Sequence, residues 1–298
     1  MFNMFKKILL AATPQLDAKT APKAAFDLAR AHGSELIIYH ALPIGDNDWC
    51  PTGGCEDLTP FVERAEARIE AFYADELKDL DYTVRVETGP SHDKLMRIIP
   101  DEQVDLVVMG HHTAGKDRPD RMWGSVDTAI RKVCANTHCP VLVVTDPAPC
   151  IADLKRVLFA ADFSTPSESA LCYAASMARA LETDLELFHV LDVGEHCPNP
   201  KYYMQDMNVF IDEAKSRMER RFSRMVEGID SGYDAWEGIP YTEILKKARW
   251  SDADLLVLGQ YSEGHELTRP FVGSTVIQVA LSPGCPTLIV NYRPRTCV

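Results

Sequence analysis

The sequence predicts two α/β domains, each a doubly wound parallel sheet between helices, related by an internal duplication. Three observations carry this expectation. The chain has 298 residues, room for two domains of ~150 residues. Shifting the sequence by 149 positions lays the first half on the second without a gap for over a hundred residues. Within each half, short and continuously apolar runs alternate with stretches whose apolar residues recur at three and four positions, the pattern of strands buried on both faces and the helices that cover them.

Taken in order, the first strand is Ile8–Ala12, repeated as Val157–Ala161. The helix after it places Ala25, Leu28 and Ala29 on one face, and Ala29-Arg30-Ala31 falls on Ala178-Arg179-Ala180. The second strand, Leu36–Leu42, has His40-Ala41-Leu42 over His189-Val190-Leu191. Phe61, Ala65, Ile69 and Phe72 mark the next helix, and Tyr82–Glu87 the third strand. Leu106–Met109 is the fourth, with Asp105-Leu106 over Asp254-Leu255, and Pro140–Val144 the fifth. Only at the end does the register slip, where Cys139-Pro140 meets Cys285-Pro286 at an offset of 146. A period of this length makes each copy a whole domain rather than a solenoid repeat. The expected domains are 1–146 and 154–298, joined by a Pro-containing linker from Thr145 to Asp153.

Composition narrows the function. The chain is 46% hydrophobic and 25% charged, as globular domains are. Its 31 basic against 44 acidic residues leave a net charge of −13, shared by both halves. No cationic stripe is present, so double-stranded nucleic acid is not an expected partner. No apolar run approaches the ~18 residues of a membrane span. The opening Lys6-Lys7-Ile8-Leu9-Leu10-Ala11-Ala12-Thr13-Pro14 is too short in its apolar part for a signal peptide and reads as a buried strand. Nine scattered cysteines point to reduced thiols and the cytoplasm.

Doubly wound sheets bind ligands beyond the carboxyl ends of their strands. After the fourth strand, the second copy reads Gly259-Gln260-Tyr261-Ser262-Glu263-Gly264, a polar loop, then Gly273-Ser274-Thr275 opening a helix. The first copy reads Gly110-His111-His112-Thr113-Ala114-Gly115, then Gly124-Ser125-Val126. Glycines let successive N–H groups converge on an anion, and Gly-Ser at a helix start adds free donors and the positive end of the helix dipole. The pattern suits a phosphate cradle, and equally a plain loop end and cap. After the first strand, the second copy has Asp162-Phe163-Ser164 where the first has Thr13-Pro14-Gln15. Asp162 could accept from an amine or a ribose hydroxyl; equally, Asp162 or Ser164 could cap the next helix, with Pro166 in its first turn.

These residues, with His189-Val190 after the second strand and the closing Cys285-Pro286-Thr287-Leu288-Ile289-Val290, resemble the universal stress protein family. The resemblance covers both copies and implies two Rossmann-like domains. It further implies ATP, with or without Mg²⁺, in members carrying Gly, two residues, Gly, nine residues, then Gly-Ser or Gly-Thr. By the same resemblance Asp162 meets the nucleoside and the backbone at Val190 meets the adenine, with Ser164 a further candidate nucleotide contact. Gly259, Ser262, Gly273, Ser274 and Thr275 surround ribose and phosphates, and Gly264 is either the motif glycine displaced or a residue of the loop alone. The corresponding positions of the first copy are Thr13, Ala41, Gly110, Thr113, Gly124, Ser125 and Val126. Two departures stand out: Thr113 and Ser262 replace the second motif glycine with a ten-residue spacer after them, and Thr13 replaces the aspartate. The second copy is therefore the expected nucleotide site and the first a degenerate one.

Other motifs fall short. Gly110 to Gly115-Lys116-Asp117 puts Asp where a P-loop needs Ser or Thr. His111-His112 reads as a solvated pair, and His40 and His189 as hydrogen-bonded structural residues. Cys50 and Cys55, His196-Cys197, and Cys134 with Cys139 have too few ligands each for a metal site and read as free thiols. His265-Glu266 lacks the second histidine of a zinc protease, and the helix Glu213–Arg224 reads as a solvated, ion-paired face. With no general base or arginine finger evident, the expectation is a non-enzymatic cytoplasmic regulator that binds an adenine nucleotide. Its two halves would form an intramolecular pseudo-dimer through their fifth strands, with homodimerisation left open. The alternatives are an ATP-hydrolysing or phosphoryl-transferring enzyme and a nucleotide-free scaffold.

Overall fold

The computed structural model describes residues 4–12, 19–42, 58–89, 91–110, 123–145, 151–192, 207–260, 274–282 and 284–291, with residues 91, 123–128, 152 and 274 by backbone alone. The chain divides into two compact units, Met1–Val144 and Thr145–Val298. The first contains β1 (Lys7–Ala11), α1 (Thr20–His32), β2 (Glu35–Leu42), α2 (Thr59–Phe72), β3 (Tyr82–Thr88), α3 (Ser91–Asp101), β4 (Leu106–Gly110), α4 (Trp123–Asn136) and β5 (Val141–Val144). The second contains β6 (Arg156–Ala161), α5 (Thr165–Leu181), β7 (Asp184–Asp192), α6 (Met207–Phe222), β8 (Ser231–Gly238), α7 (Pro240–Trp250), β9 (Leu255–Gln260), α8 (Ser274–Ala280) and β10 (Thr287–Asn291). Within the first unit the strands lie in the order β3-β2-β1-β4-β5, all parallel. Within the second the order is β8-β7-β6-β9-β10, again all parallel. The duplicated α/β architecture read from the sequence is therefore present, with strand limits shifted by one or two residues.

Two-sided burial explains which runs are continuous. In β4, β5, β9 and β10 nearly every residue is buried, whereas β3 and β8 show mixed burial along their length. One carboxylate ties each sheet at its amino end. Asp105 Oδ2 accepts from the N–H groups of Lys6 at 3.0 Å and Lys7 at 3.1 Å, and Asp254 Oδ2 does the same for Lys155 at 2.8 Å and Arg156 at 3.0 Å. The repeated Asp-Leu thus pins the first strand of each unit to its fourth. The copies differ at the first helix's end. Gly33 terminates α1 at φ 63°, while Glu182 holds the same left-handed conformation at φ 53° after α5, a strain that glycine avoids.

A larger difference lies under α7. Lys247 is 1% exposed, yet its ammonium bonds Glu186 Oε1 at 2.5 Å and Asp234 Oδ2 at 2.9 Å. Trp236 Nε1 donates to the same Asp234 oxygen at 3.0 Å, and Lys215 pairs with the other at 3.0 Å. Burial pushes the Asp234 carboxyl up, but the bonds from Lys247 and Lys215 outweigh it and hold it below the usual range. The ammonium also lies 4.7 Å from the Trp250 ring centre and 5.5 Å from that of Trp236, where cation–π attraction partly offsets desolvation. At the matching positions the first unit has Ile98 for Lys247 and Ile37 for Glu186, both buried. Beside this network a cavity of about 230 Å³ opens at the amino ends of β6, β7 and β8, lined in part by Glu186 and Gly232; the first unit carries Thr83 where Gly232 stands.

Cys134, Cys139 and Cys285 are buried free thiols, with burial pushing Cys134 and Cys285 up to about 12. Cys172 in α5 is disulfide-bonded, which corrects the expectation that the thiols are reduced throughout. Spacing in sequence carries no record of which sulfurs meet in space. Cys50, Cys55 and Cys197 lie outside the described residues.

Removing one member of a buried ion network strands the others. Lys247→Met is expected to lower stability by ~3 kcal/mol, since water reaches both carboxylates and limits the loss. Lys247→Ile with Glu186→Ile, copying the first unit, is expected to recover much of it. Urea unfolding of the three proteins checks the order.

Candidate functional site

The carboxyl end of β6 is where the strand order of the second unit reverses. The chain leaves β6 through α5 to β7 on one side, and later returns to β9 on the other, so the carboxyl end of β6 is the switch point at which doubly wound sheets take ligands. Asp162, Phe163 and Ser164 fill the turn at that point. Ser164 is the N-cap of α5, its Oγ accepting from Ser167 N at 3.2 Å. Asp162 Oδ1 accepts from Ser164 N at 2.9 Å, and Ser167 Oγ accepts from Asp162 N at 3.3 Å. Capping, left open between Asp162 and Ser164 by spacing, is therefore done by Ser164. Asp162 braces the turn with one oxygen, and its second has no hydrogen-bond partner among the described residues.

Gly259, in β9 and opposite Val290, owes its identity to packing. A Cβ there would sit 2.7 Å from Ser167 N and 2.8 Å from the Pro166 carbonyl carbon and oxygen. The first turn of α5 thus rests on the bare backbone of β9, and that contact demands glycine with or without a ligand.

Val190 lies in β7 opposite Trp236, partly buried and packed against the core cluster that includes Phe188, Ile244 and Leu258. Thr275 is half-buried in the first turn of α8, which begins at Ser274. Gly273, Ser262 and Gly264 lie outside the described residues. In the first unit Ala41 pairs with Glu87 and Gly110 with Val144. There α4 starts at Trp123, so Gly124, Ser125 and Val126 lie within its first turn rather than before it, a difference from the helix opening expected at Gly-Ser. Thr13, Thr113, His111, His112, Gly115, Lys116, His196 and the His265-Glu266 pair lie outside the described residues.

Both histidines take the hydrogen-bonded role read for them. His40 Nδ1 donates to the Ala12 carbonyl at 2.8 Å, and His189 Nδ1 to that of Ala161 at 2.7 Å. Each ring thereby ties the end of the second strand to the end of the first. Burial pushes both imidazoles below the ordinary range, against the pull of these carbonyls.

Sequence reading missed the cluster around Phe163. This residue holds φ 62°, a conformation rare for a bulky side chain. Its ring centre lies 4.6 Å from that of His189 and 6.0 Å from that of Phe222, the latter nearly parallel at 9°. The Arg217 guanidinium lies 4.1 Å from the same ring centre. The Glu213–Arg224 stretch is mostly exposed, as its composition suggests, but Arg217 reaches the switch point. The Asp-Phe-Ser tripeptide was the available signal, read for its polar members alone.

Among the described residues no three His, Cys, Asp or Glu side chains gather as a metal site, and no helix is long and apolar enough to cross a membrane. Doubly wound twice over, with a polar turn at the switch point of its second half, the chain is a tandem α/β protein of the Rossmann-like kind. It matches the universal stress protein family over residues 4–145 and again over 153–291, and it belongs to that family. It is 34% identical over 143 residues to a universal stress protein of Thermus aquaticus, covering 47% of this chain and 99% of that one. It is 27% identical over 150 residues to one from Methanocaldococcus jannaschii, covering 49% and 85%. In fold it resembles a universal stress protein structure from Archaeoglobus fulgidus with a TM-score of 0.68 at 19% identity, over 95% of this chain and 96% of that one. A functionally unknown protein of Pseudomonas aeruginosa gives 0.66 at 16% identity, over 97% and 93%.

Gly259→Ala is expected to lower stability by ~1–3 kcal/mol, because backbone must move to admit the methyl group; an unchanged unfolding midpoint without ligand would show that the contact yields freely. The histidines give a pH dependence. A base with a folded pKa below its unfolded value of ~6.5 contributes its full stability above that pH and loses it as pH falls through the folded value. Unfolding free energy is therefore expected to decline as pH drops below about 6.5, with a shallower decline in His189→Gln.

Proposed function

We propose that the protein is a nucleotide-binding regulator, without catalytic turnover, whose second unit takes ATP at the crevice beyond β6. The observation that carries this reading is Asp162. Its carboxylate is the first side chain past the central strand, at the switch point, held by its own bond to Ser164 N and with an oxygen still open. The first unit has Thr13 at that position, which offers no charge. An ionised acceptor bonding a ribose hydroxyl or an exocyclic amine contributes on the order of 1.5–3 kcal/mol. The Ser164 hydroxyl, accepting from Ser167 N, can still donate to the same ligand. In this reading the opening of α8 at Ser274 and Thr275 supplies N–H donors for phosphates, which lets an acidic protein hold a polyanion through backbone rather than lysine. Regulation would follow from nucleotide occupancy of one unit while the other stays empty.

Calorimetric titration of ATP into the full chain tests the reading. One saturable site is expected, weakened roughly tenfold or more by Asp162→Asn, which keeps an acceptor for Ser164 N and removes the charge. Absence of binding, or equal affinity in the variant, would overturn it. Phosphate release at the rate of a working enzyme, lost in the same variant, would replace it with the hydrolytic alternative.

A further inference from the structure

We infer that Arg217 is a ligand-binding residue of the second unit, its guanidinium laid against Phe163 so as to meet the nucleoside end of the nucleotide. This rests on the reading of the β6 crevice as a nucleotide site and adds a contact to it.

Arg217 is exposed on α6, and among the described residues it has no carboxylate partner. Two other cations of the helix do: Lys215 pairs with Asp234 at 3.0 Å and Arg221 with Glu168 at 2.8 Å. Instead, the guanidinium sits 4.1 Å from the Phe163 ring centre. Phe163 is itself fixed, by a left-handed backbone between Asp162 and Ser164 and by contact with His189 and Phe222. A planar cation resting on one ring keeps its N–H edge and its other face available, which suits stacking on a base or donating to its ring nitrogens.

Topology decides which end of the ligand it meets. β6 stands between β9 and β7. The segment entering α8 follows β9, whereas α6 packs over β7 and β8. Two strand spacings separate those sides, roughly 10 Å, a distance that a nucleotide spans. Phosphates on the β9 side leave the nucleoside beside Asp162, Phe163 and Arg217. The first unit has Arg68 in register with Arg217, but Pro14 in register with Phe163, so its sequence supplies no aromatic ring at that position to hold a guanidinium.

ATP and adenosine are titrated separately into the full-length protein, Arg217→Ala, Arg217→Lys, Phe163→Leu, and Phe163→Leu with Arg217→Ala. Arg217→Ala is expected to weaken both ligands about tenfold at unchanged stability, because the residue is exposed. Arg217→Lys is expected to recover little, since it restores charge without the planar fork. The double variant should bind no more weakly than Arg217→Ala, because Phe163 acts through the arginine. Should Phe163→Leu fail to fold, the two Arg217 variants decide alone. Unchanged affinity in Arg217→Ala overturns the inference and leaves the nucleotide reading standing. A loss for ATP with none for adenosine also overturns it, by moving the guanidinium to the phosphates. Failure of the unaltered protein to bind either ligand removes the nucleotide reading, and Arg217's role with it.

Discussion

The first turn of α5 lies on the end of β9 with no side chain between them. That approach is permitted by Gly259, where even a methyl carbon would fall 2.7 Å from Ser167 N. From it follow the position of the Ser164 cap, the brace from Asp162 to Ser164 N, and the direction in which the Asp162 carboxylate faces. The glycine is therefore a packing element that carries the site without needing to touch a ligand. Its repetition as Gly110 at the end of β4 is explained by shared architecture as readily as by shared chemistry.

Around that contact the second unit has a layered arrangement. The Ala161 carbonyl receives His189, whose ring touches Phe163, which in turn carries Arg217. Each layer fixes the next: a backbone acceptor sets the imidazole tautomer, and the ring supports the aromatic side chain. The strained backbone at Phe163 is held by these contacts, as strained residues at functional positions generally are. Burial keeps the imidazole neutral near neutral pH, so it adds no charge beside the guanidinium.

The two units show how one fold supports different interiors. Where the first has the apolar pair Ile37 and Ile98, the second has a carboxylate and an ammonium in a network with Asp234 and three aromatic rings. Such a network adds little net stability over apolar packing, because desolvation offsets most of the attraction. Its ion pairs do join α7 to β7 and β8, and a cavity remains beside it at the amino ends of the strands. The Asp162 turn and this network lie at opposite ends of the strands of the second unit.

Periodicity and repetition made the architecture legible: continuous apolar runs such as Leu106–Met109 and Leu255–Leu258, short and set between helical stretches, suit strands covered on both faces, and the 149-residue offset doubled every observation. The same reading placed Asp162 and Gly259 at strand ends, because those ends follow directly from the runs. It also anticipated the structural role of His40 and His189. What the sequence could not decide was which polar atoms satisfy one another. Ser164 rather than Asp162 caps α5, a choice that spacing leaves open between neighbours, and Gly259 answers to a helix rather than only to a ligand, through a contact between residues that local spacing does not relate. Arg217 and Lys247 show the same limit most plainly. Arg217 lies in a stretch that reads as a solvated face and nothing in its local sequence marks Lys247; only the packing of α6 over Phe163 and of α7 over Glu186 and Asp234 gave one a ring to rest on and the other a pair of carboxylates.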